Sequence, residues 1–504
     1  MKIKILLILI LNLIFLNSVV NSQYARNYYV ATNGTDFNSC GQAISQACAT
    51  PVGAVNSFRI QFGYYSSNVY QLLVNFGSGY QWNGGNSLTS VSLNNLNVSF
   101  IGAPDGSTYF YNSYSALPLF NITSAATQTT YITFTNITYG TPNFGCYHNY
   151  QYNTLAASLL LITPAYYYSV NNYILFNNFT ISCKTIDIPI VATNGYGYTY
   201  LGPASEDYND YFTGSLSSYN PNTFITFNGM YFNQTAAYSK AGYTFSFSSQ
   251  LVNVPLFPTS VSFVNCVLIL DDVNFLSTQS FINVGRGNLI IDNSTFIVSS
   301  FSSNPPPFLN VTSAQVDITN SNIITEGYMI SFLSCQGCFF KADNINYTSL
   351  SITSSSVPFS FMYASASFYN SRLISSQYGG VISAVDSQLA LRSNIISSGK
   401  TNSVNLDKSN AFIYGNTFPY YYKVNSLYYN SYSTVVYCSS DSESDIVGDF
   451  LVGSYTENCS KYTKDFKLKW YFGFLAVGIV GTLFIYIFLA STIAIIKRCG
   501  GGDN

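Results

Sequence analysis

The 504-residue sequence is short of charge. Asp, Glu, Lys and Arg together make up 8% of it, the net charge is −2, and there is one histidine. Soluble domains carry about a quarter charged residues. A chain this neutral has no electrostatic footprint for nucleic acid. With His148 alone and a single C-x-x-C at Cys335–Cys338, no zinc-ligand spacing is present, and neither a metal nor a cofactor is expected. Long apolar runs are confined to the two ends. Solubility in between must come from hydroxyls, amides and attached sugar.

What the chain has instead is a repeat. Its best copy is Leu289-Ile-Ile-Asp-Asn-Ser-Thr-Phe296, of pattern ϕ-x-ϕ-x-(Asn/Gly/Ser)-x-x-ϕ, where ϕ is apolar. Copies begin at Val316, Phe340 and Ala366, with looser ones at Leu389 and Ala411, giving steps of 27, 24, 26, 23 and 22 residues. Upstream copies begin at Val261, Ile225, Ile174 and Ile132, at wider steps of 34 to 51 residues in that half, so long loops interrupt it or a coil is disguised. A degenerate copy at Val98 has Gly102 at position five and Asp105 where the last apolar residue belongs.

Positions one and three face the same side of a strand, because side chains alternate. Asn or Gly at position five suits a left-handed backbone that turns the chain. Position eight then points inward from the next strand. Stacked copies place like on like, so the Asn amides are expected to form a hydrogen-bonded ladder, and no coil can bury its apolar face alone. At about 25 residues per coil, 91–418 would hold roughly 13 coils, a rod of about 60 Å at ~4.8 Å per coil. Leucine-rich repeats do not fit, and a β-sandwich array is the remaining all-β alternative.

The start of this region has its own signature: Asn33-Gly-Thr-Asp36, Cys40-Gly41, Cys48-Ala-Thr-Pro51 and Ala54-Val55. A strand, a turn-rich loop and a short helix fit that order, with Thr50 as N-cap and Pro51 at the first helical position. These elements resemble the N-terminal cap of pectin-lyase-like right-handed parallel β-helix proteins, and are most similar to polymorphic outer-membrane-type repeat proteins. The resemblance implies an all-β, right-handed parallel β-helix (solenoid), in a superfamily of both polysaccharide-cleaving enzymes and non-enzymatic adhesins.

The expected organisation is a signal peptide at 1–22, an N-terminal cap at 23–90 and coils at 91–418. A C-terminal cap and stalk at 419–469, one transmembrane helix at 470–496 and a cytoplasmic tail at 497–504 follow. Lys2 and Lys4 precede an apolar run from Ile5 to Val20, with cleavage expected after Ser22. Tyr471–Ile496 is uncharged over 26 residues, enough at 1.5 Å per residue to cross a ~30 Å hydrocarbon core. Together these predict a type I single-pass protein at the plasma membrane, N-terminus outside. Cys499 is a candidate for palmitoylation.

Ten Asn-x-Ser/Thr sequons are candidate glycosylation sites: Asn33, Asn97, Asn121, Asn136, Asn178, Asn233, Asn293, Asn310, Asn346 and Asn458. Several fall on the repeat Asn itself, where stacking is expected to bury the amide, so turn device and sequon compete for one nitrogen. Expected disulfides are Cys40–Cys48, Cys146–Cys183, Cys335–Cys338 and Cys438–Cys459, leaving Cys266 as a buried thiol.

For catalysis, the candidates are Asp271-Asp272 with Arg286, but the Asn-Thr-Asp, Gly-His-Gly and Arg-Ile-Lys signatures of galacturonan hydrolases are absent. Two Tyr-rich interruptions, Thr141–Tyr168 and Asn194–Asn222, are expected as loops where a glycan or cell-surface protein could bind. The expected function is therefore adhesion, recognition or surface coat without catalysis. The alternative is a membrane-tethered polysaccharide lyase or hydrolase.

Overall fold

The computed structural model describes residues 25–63, 70–84, 90–111, 118–123, 126–140, 159–162, 171–182, 191–193, 223–234, 245–246, 252–254, 259–274, 280–300, 306–327, 331–350, 357–376, 380–399, 402–418, 427–429 and 433–438. The segments 1–22, 470–496 and 497–504 lie outside these, as do Asn458, Cys146, Cys183, Cys459, Cys499 and His148. Among the described residues no helix is long and apolar enough to cross a membrane.

Each coil is three short strands, and each strand pairs in parallel with its counterpart in the next coil, so the strands form three stacks. In one coil these are Phe359–Met362, Ser365–Tyr369 and Arg372–Ser375. They pair with Ile382–Val385, Gln388–Arg392 and Ile395–Ser398 of the following coil. The strands Ile282–Asp292 and Leu309–Thr319 run through the bend between the first and second stacks, merging these into one 24-stranded sheet; the third stack belongs to a 12-stranded sheet. The result is a β-solenoid.

The repeat lies on the second stack. Positions one and three face inward: Ile132, Ile174, Ile225, Val261 and Leu289 form one buried column, and Phe134, Phe176, Phe227 and Phe263 another. The phenylalanine rings lie face to face, with centroids 4.8–5.0 Å apart from Phe134 to Phe263. Further along, volume is conserved by exchange. Phe340 and Ala342 are followed on the next coil by Ala366 and Phe368, and the two large rings meet diagonally at 4.9 Å. Such compensation keeps a core dense while its sequence drifts.

Position five turns the chain as expected. Asn136, Asn178, Asn265, Asn293, Asn320, Asn344, Asn370 and Ser393 have φ between 47° and 57°, and Gly229 and Gly415 lie at 63° and 60°. This is the left-handed region, costing about 1–2 kcal/mol for most L-residues and less for Asn or Gly. That turn is the second corner of each coil; a first corner of the same kind lies seven residues earlier, between the first and second stacks, where Ser313, Gly337, Tyr363, Asp386 and Lys408 have φ of 45–60°. Most of these left-handed residues pass their N–H to the next coil, for instance Asn344 N to Tyr369 O at 3.0 Å and Asp386 N to Asp407 O at 3.0 Å. Gly102 is an exception. It has no positive φ, and an added Cβ there would strike the carbonyl oxygen of Asn136. In that degenerate copy Asp105 lies in an exposed turn and Phe110 supplies the inward residue.

The residue after each left-handed turn points inward, and many of these are polar. Ser387 N donates to Ser409 Oγ (3.0 Å), Ser409 N to Ser433 Oγ (3.1 Å), Ser371 N to Asn394 Oδ1 (2.9 Å) and Asn394 N to Asn416 Oδ1 (2.9 Å). Each coil thus satisfies a backbone donor of its predecessor.

Among the described residues eleven second-stack strands fall within 91–418, from Asn97–Ile101 to Asn410–Tyr414, rather than the 13 that a uniform step implies. The wide upstream steps hide no further coil of the second stack: Asn172–Asn177 pairs directly with Thr223–Asn228. The ladder also runs past both expected limits, with Ala25–Val30 and Gln71–Phe76 before it and Thr434–Cys438 after.

Among the described residues the strand Ala25–Val30 ends the sheet, and its outer edge is covered around Tyr29 and Ala31. Tyr29 N donates to Gly41 O (2.8 Å), Cys48 N to Tyr29 O (2.9 Å) and Ala31 N to Cys48 O (3.0 Å). The Cys40–Cys48 disulfide, Cα–Cα 5.0 Å, closes this loop. Asp36 accepts from the N–H groups of Ala49 (2.8 Å) and Thr50 (3.0 Å). Thr50 Oγ1 caps the helix Pro51–Phe62 through Gly53 N at 3.1 Å, with Pro51 at N1 as expected. An open edge invites pairing with another chain.

Two measurements check these devices. Asn344→Ala should lower stability by about 1–2 kcal/mol in chemical denaturation, and Asn344→Gly by clearly less, because glycine keeps the left-handed turn. Replacing Cys40 and Cys48 by Ser should cost about 2–3 kcal/mol and produce concentration-dependent association in light scattering.

Candidate recognition face

The second stack presents its alternate residues outward, and this face is where side chains are arrayed most regularly. Near its N-terminal part Tyr131, Tyr173 and Phe224 occupy one position on adjacent coils, directly before position one of the repeat. Their rings are parallel within 7–8° and 4.9–5.0 Å apart. Strand spacing of ~4.8 Å imposes that distance, since identical rotamers on neighbouring strands stack. Because the rings cover one another, the faces inside the stack are closed, and along its length a ligand meets ring edges and the hydroxyls of Tyr131 and Tyr173. Partial burial, and then the neighbouring Tyr173, raise the pKa of Tyr131, so its hydroxyl stays a donor throughout the physiological range.

Toward the C-terminal coils the same face becomes mixed aromatic and basic. Lys341 lies over the ring of Tyr369 at 5.7 Å, and Arg392 over Tyr414 at 5.9 Å. Tyr369, Arg392 and Tyr414 follow one another on successive coils.

The catalytic candidates are not brought together by backbone placement. Asp271 and Asp272 lie in the third-stack strand Val267–Asn274, at a register shift between Leu270 and Val273. Arg286 sits at the bend of Ile282–Asp292, between the first and second stacks of the next coil. The side chains of all three lie outside the described residues. The carboxylate of Asp105 is held down to about 2 by hydrogen bonds from Ser107 and Ser78 in an exposed turn. Its pKa is depressed, so the turn is favoured above the usual carboxylate range and loosens only as pH falls through about 2. This chemistry stiffens a turn; it does not move protons near neutrality.

Of the Tyr-rich interruptions, 194–222 lies outside the described residues. The other contains a first-stack strand, Leu160–Ile162, so it is two connections rather than one loop. Among the cysteines, Cys40–Cys48 and Cys335–Cys338 are bonded, the latter across the first corner at Gly337 with Cα–Cα 5.8 Å. Asp36 lies beside Cys40 and Cys48, but oxidised sulfurs offer no thiolate to a metal. Cys146–Cys183 and Cys438–Cys459 rest on side chains outside the described residues.

The sequon asparagines correct one expectation. Asn178, Asn293 and Asn346 are exposed, as is Asn33, while Asn97, Asn121, Asn136 and Asn310 are half-buried. The side chain of Asn233 lies outside the described residues. The ladder is present, with Asn293 Nδ2 donating to Asn265 Oδ1 at 2.7 Å and Asn344 Nδ2 to Asn320 Oδ1 at 2.9 Å, but it runs along the outside of a corner. What stacking buries is the following residue, such as Ser294 or Ser321.

No family model and no curated protein matches this sequence. Among solved structures, ORF18 of Geobacillus virus E2 is similar over 73% of this chain, at 12% identity and a TM-score of 0.28. The chain spans about half, 54%, of that protein. A TM-score at that level carries no functional argument.

Cys266 stands in the inward corner position, 1% exposed, and burial pushes its thiol up to about 11. In the folded protein it should resist alkylation at pH 8 and become labelled only in denaturant, read residue by residue in a mass spectrometer.

Proposed function

We propose that this chain is a type I single-pass cell-surface glycoprotein whose ectodomain, a right-handed parallel β-helix, serves adhesion or recognition without catalysing a reaction. The observation that carries this reading is the second-stack face. It presents a periodic array of hydroxyl, amide and aromatic side chains, joined toward the C-terminal coils by Lys341 and Arg392, with the Tyr131–Tyr173–Phe224 stack as its most ordered part.

Such an array suits a neutral glycan or a protein surface. Phenol hydroxyls supply hydrogen bonds and ring edges supply apolar contact at low entropic cost, since stacking already fixes the rotamers. A right-handed coil is the hand that parallel crossovers take. The apolar, uncharged segment 471–496 is long enough to anchor the rod. The rival reading, a polysaccharide lyase or hydrolase, would need acid, base or metal groups gathered in one cleft.

Incubation of the protein with a panel of polysaccharides and cell surfaces separates the readings. Retention without released sugars is the expected outcome, and Tyr131→Ala with Tyr173→Ala should weaken retention about tenfold or more. Release of reducing or unsaturated sugars would establish the enzyme instead. Absence of retention on every surface would leave only an inert coat.

A further inference from the structure

The second corner carries sequons as well as the amide ladder. Asn136, Asn178 and Asn293 are left-handed corner residues, and Asn346 opens the third-stack strand two residues past Asn344. All four therefore lie along one edge of the rod. Asn178, Asn293 and Asn346 are exposed, and Asn136 is partly so.

Their hydrogen bonds share a polarity. Asn178 Nδ2 donates to Asn136 Oδ1 (3.4 Å), Asn293 Nδ2 to Asn265 Oδ1 (2.7 Å) and Asn346 Nδ2 to Asn322 Oδ1 (3.0 Å). In every case the later coil donates to the earlier one. A stack of translated amides uses the N–H that lies anti to its own carbonyl, as strands do. An N-linked sugar replaces the other hydrogen, because the glycosylated amide is trans. Ladder and sugar thus occupy different positions on one nitrogen. Asn136 is freer still, since the preceding coil has Gly102 at that place and offers no side chain.

We propose that the second corner is a line of N-glycan attachment. Asn293 and Asn346 each carry a sugar, and Asn136 and Asn178 hold one between them, while the amide ladder stays intact. The sharing follows from spacing: these two occupy adjacent coils, and a substituted pyranose is broader than the ~4.8 Å between strands. In the modification Nδ2 bonds to the anomeric carbon of an oligosaccharide carried on a lipid diphosphate. The anomeric C–O bond breaks, the lipid diphosphate leaves, and the amide gives up one proton. Asn121 is the contrasting case, because its Oδ1 is buried and finds no hydrogen-bond partner. The inference rests on the secretory reading above and adds which edge of the rod bears the sugar.

The test is site-resolved occupancy of the full chain expressed in a eukaryotic secretory host. Enzymatic release in heavy-oxygen water marks each formerly glycosylated Asn as labelled Asp. The expected result is label at Asn33, Asn293 and Asn346, a summed occupancy near one glycan over Asn136 and Asn178, and none at Asn121. Label at Asn33 with a bare corner overturns this inference and leaves the secretory reading standing. No label anywhere, Asn33 included, overturns the secretory reading and the inference with it. Thr295→Val removes the sequon while keeping Asn293 in the ladder. It should lose the mass of one glycan with an unchanged melting temperature, and an unchanged mass would overturn the assignment of Asn293.

Discussion

Everything in this molecule depends on one requirement: each coil's backbone donors and acceptors must be met by the coils above and below it. Parallel pairing at ~4.8 Å does this along the strands. The corners are harder, because a turning backbone aims its N–H away from the strand direction. Left-handed residues at both corners solve this by passing the corner N–H to the next coil's carbonyl, as Asn344 does to Tyr369 and Tyr363 to Val385. Once the corners repeat, the side chains are forced into columns, and the core, the polar ladders and the outer aromatic stack follow.

The requirement also explains how a charge-poor chain buries so many hydroxyls and amides. Ser387, Ser409, Ser371, Asn394 and Asn416 are all buried and all hydrogen-bonded. An unsatisfied polar group there would cost about 1–3 kcal/mol. Stacking removes that cost, because the acceptor for one coil's N–H is the side chain of the next. Position by position, the same inward corner column changes from Ile137, Phe179 and Met230 through Cys266 to serines and asparagines. Either chemistry serves, and the two can adjoin: Ile345 lies between Ser321 and Ser371 in this column and donates its N–H to Ser371 Oγ at 3.2 Å.

How far the sequence revealed this depended on how narrow the chemical choice was at each position. The second corner was legible because only Asn, Gly and Ser stand there, and the inward columns were legible because they alternate. The first corner escaped notice because Gly337, Tyr363, Asp386 and Lys408 share a backbone conformation and nothing else. The coil count was overstated because loop length is independent of stacking. The outer stack of Tyr131, Tyr173 and Phe224 stood one residue before each repeat copy, hidden by abundant tyrosine elsewhere. The function was the least legible part: periodicity specifies a scaffold, and a scaffold's ligand is written on outward positions that the period leaves free.

The sealed first strand gives the rod a direction in time as well as in space. The disulfide loop and the helix Pro51–Phe62 precede the coils in sequence and are synthesised before them, so the seal can close before any of those coils exists. Each coil contacts its immediate neighbours, and chains emerge at roughly 5–20 residues per second. A coil of about 25 residues therefore has on the order of a second or more to dock before the next one appears. Growth then proceeds from a closed end onto a single exposed edge, always that of the newest coil. Assembly of this kind resembles templated polymerisation carried out within one molecule, with the ribosome setting the order of addition.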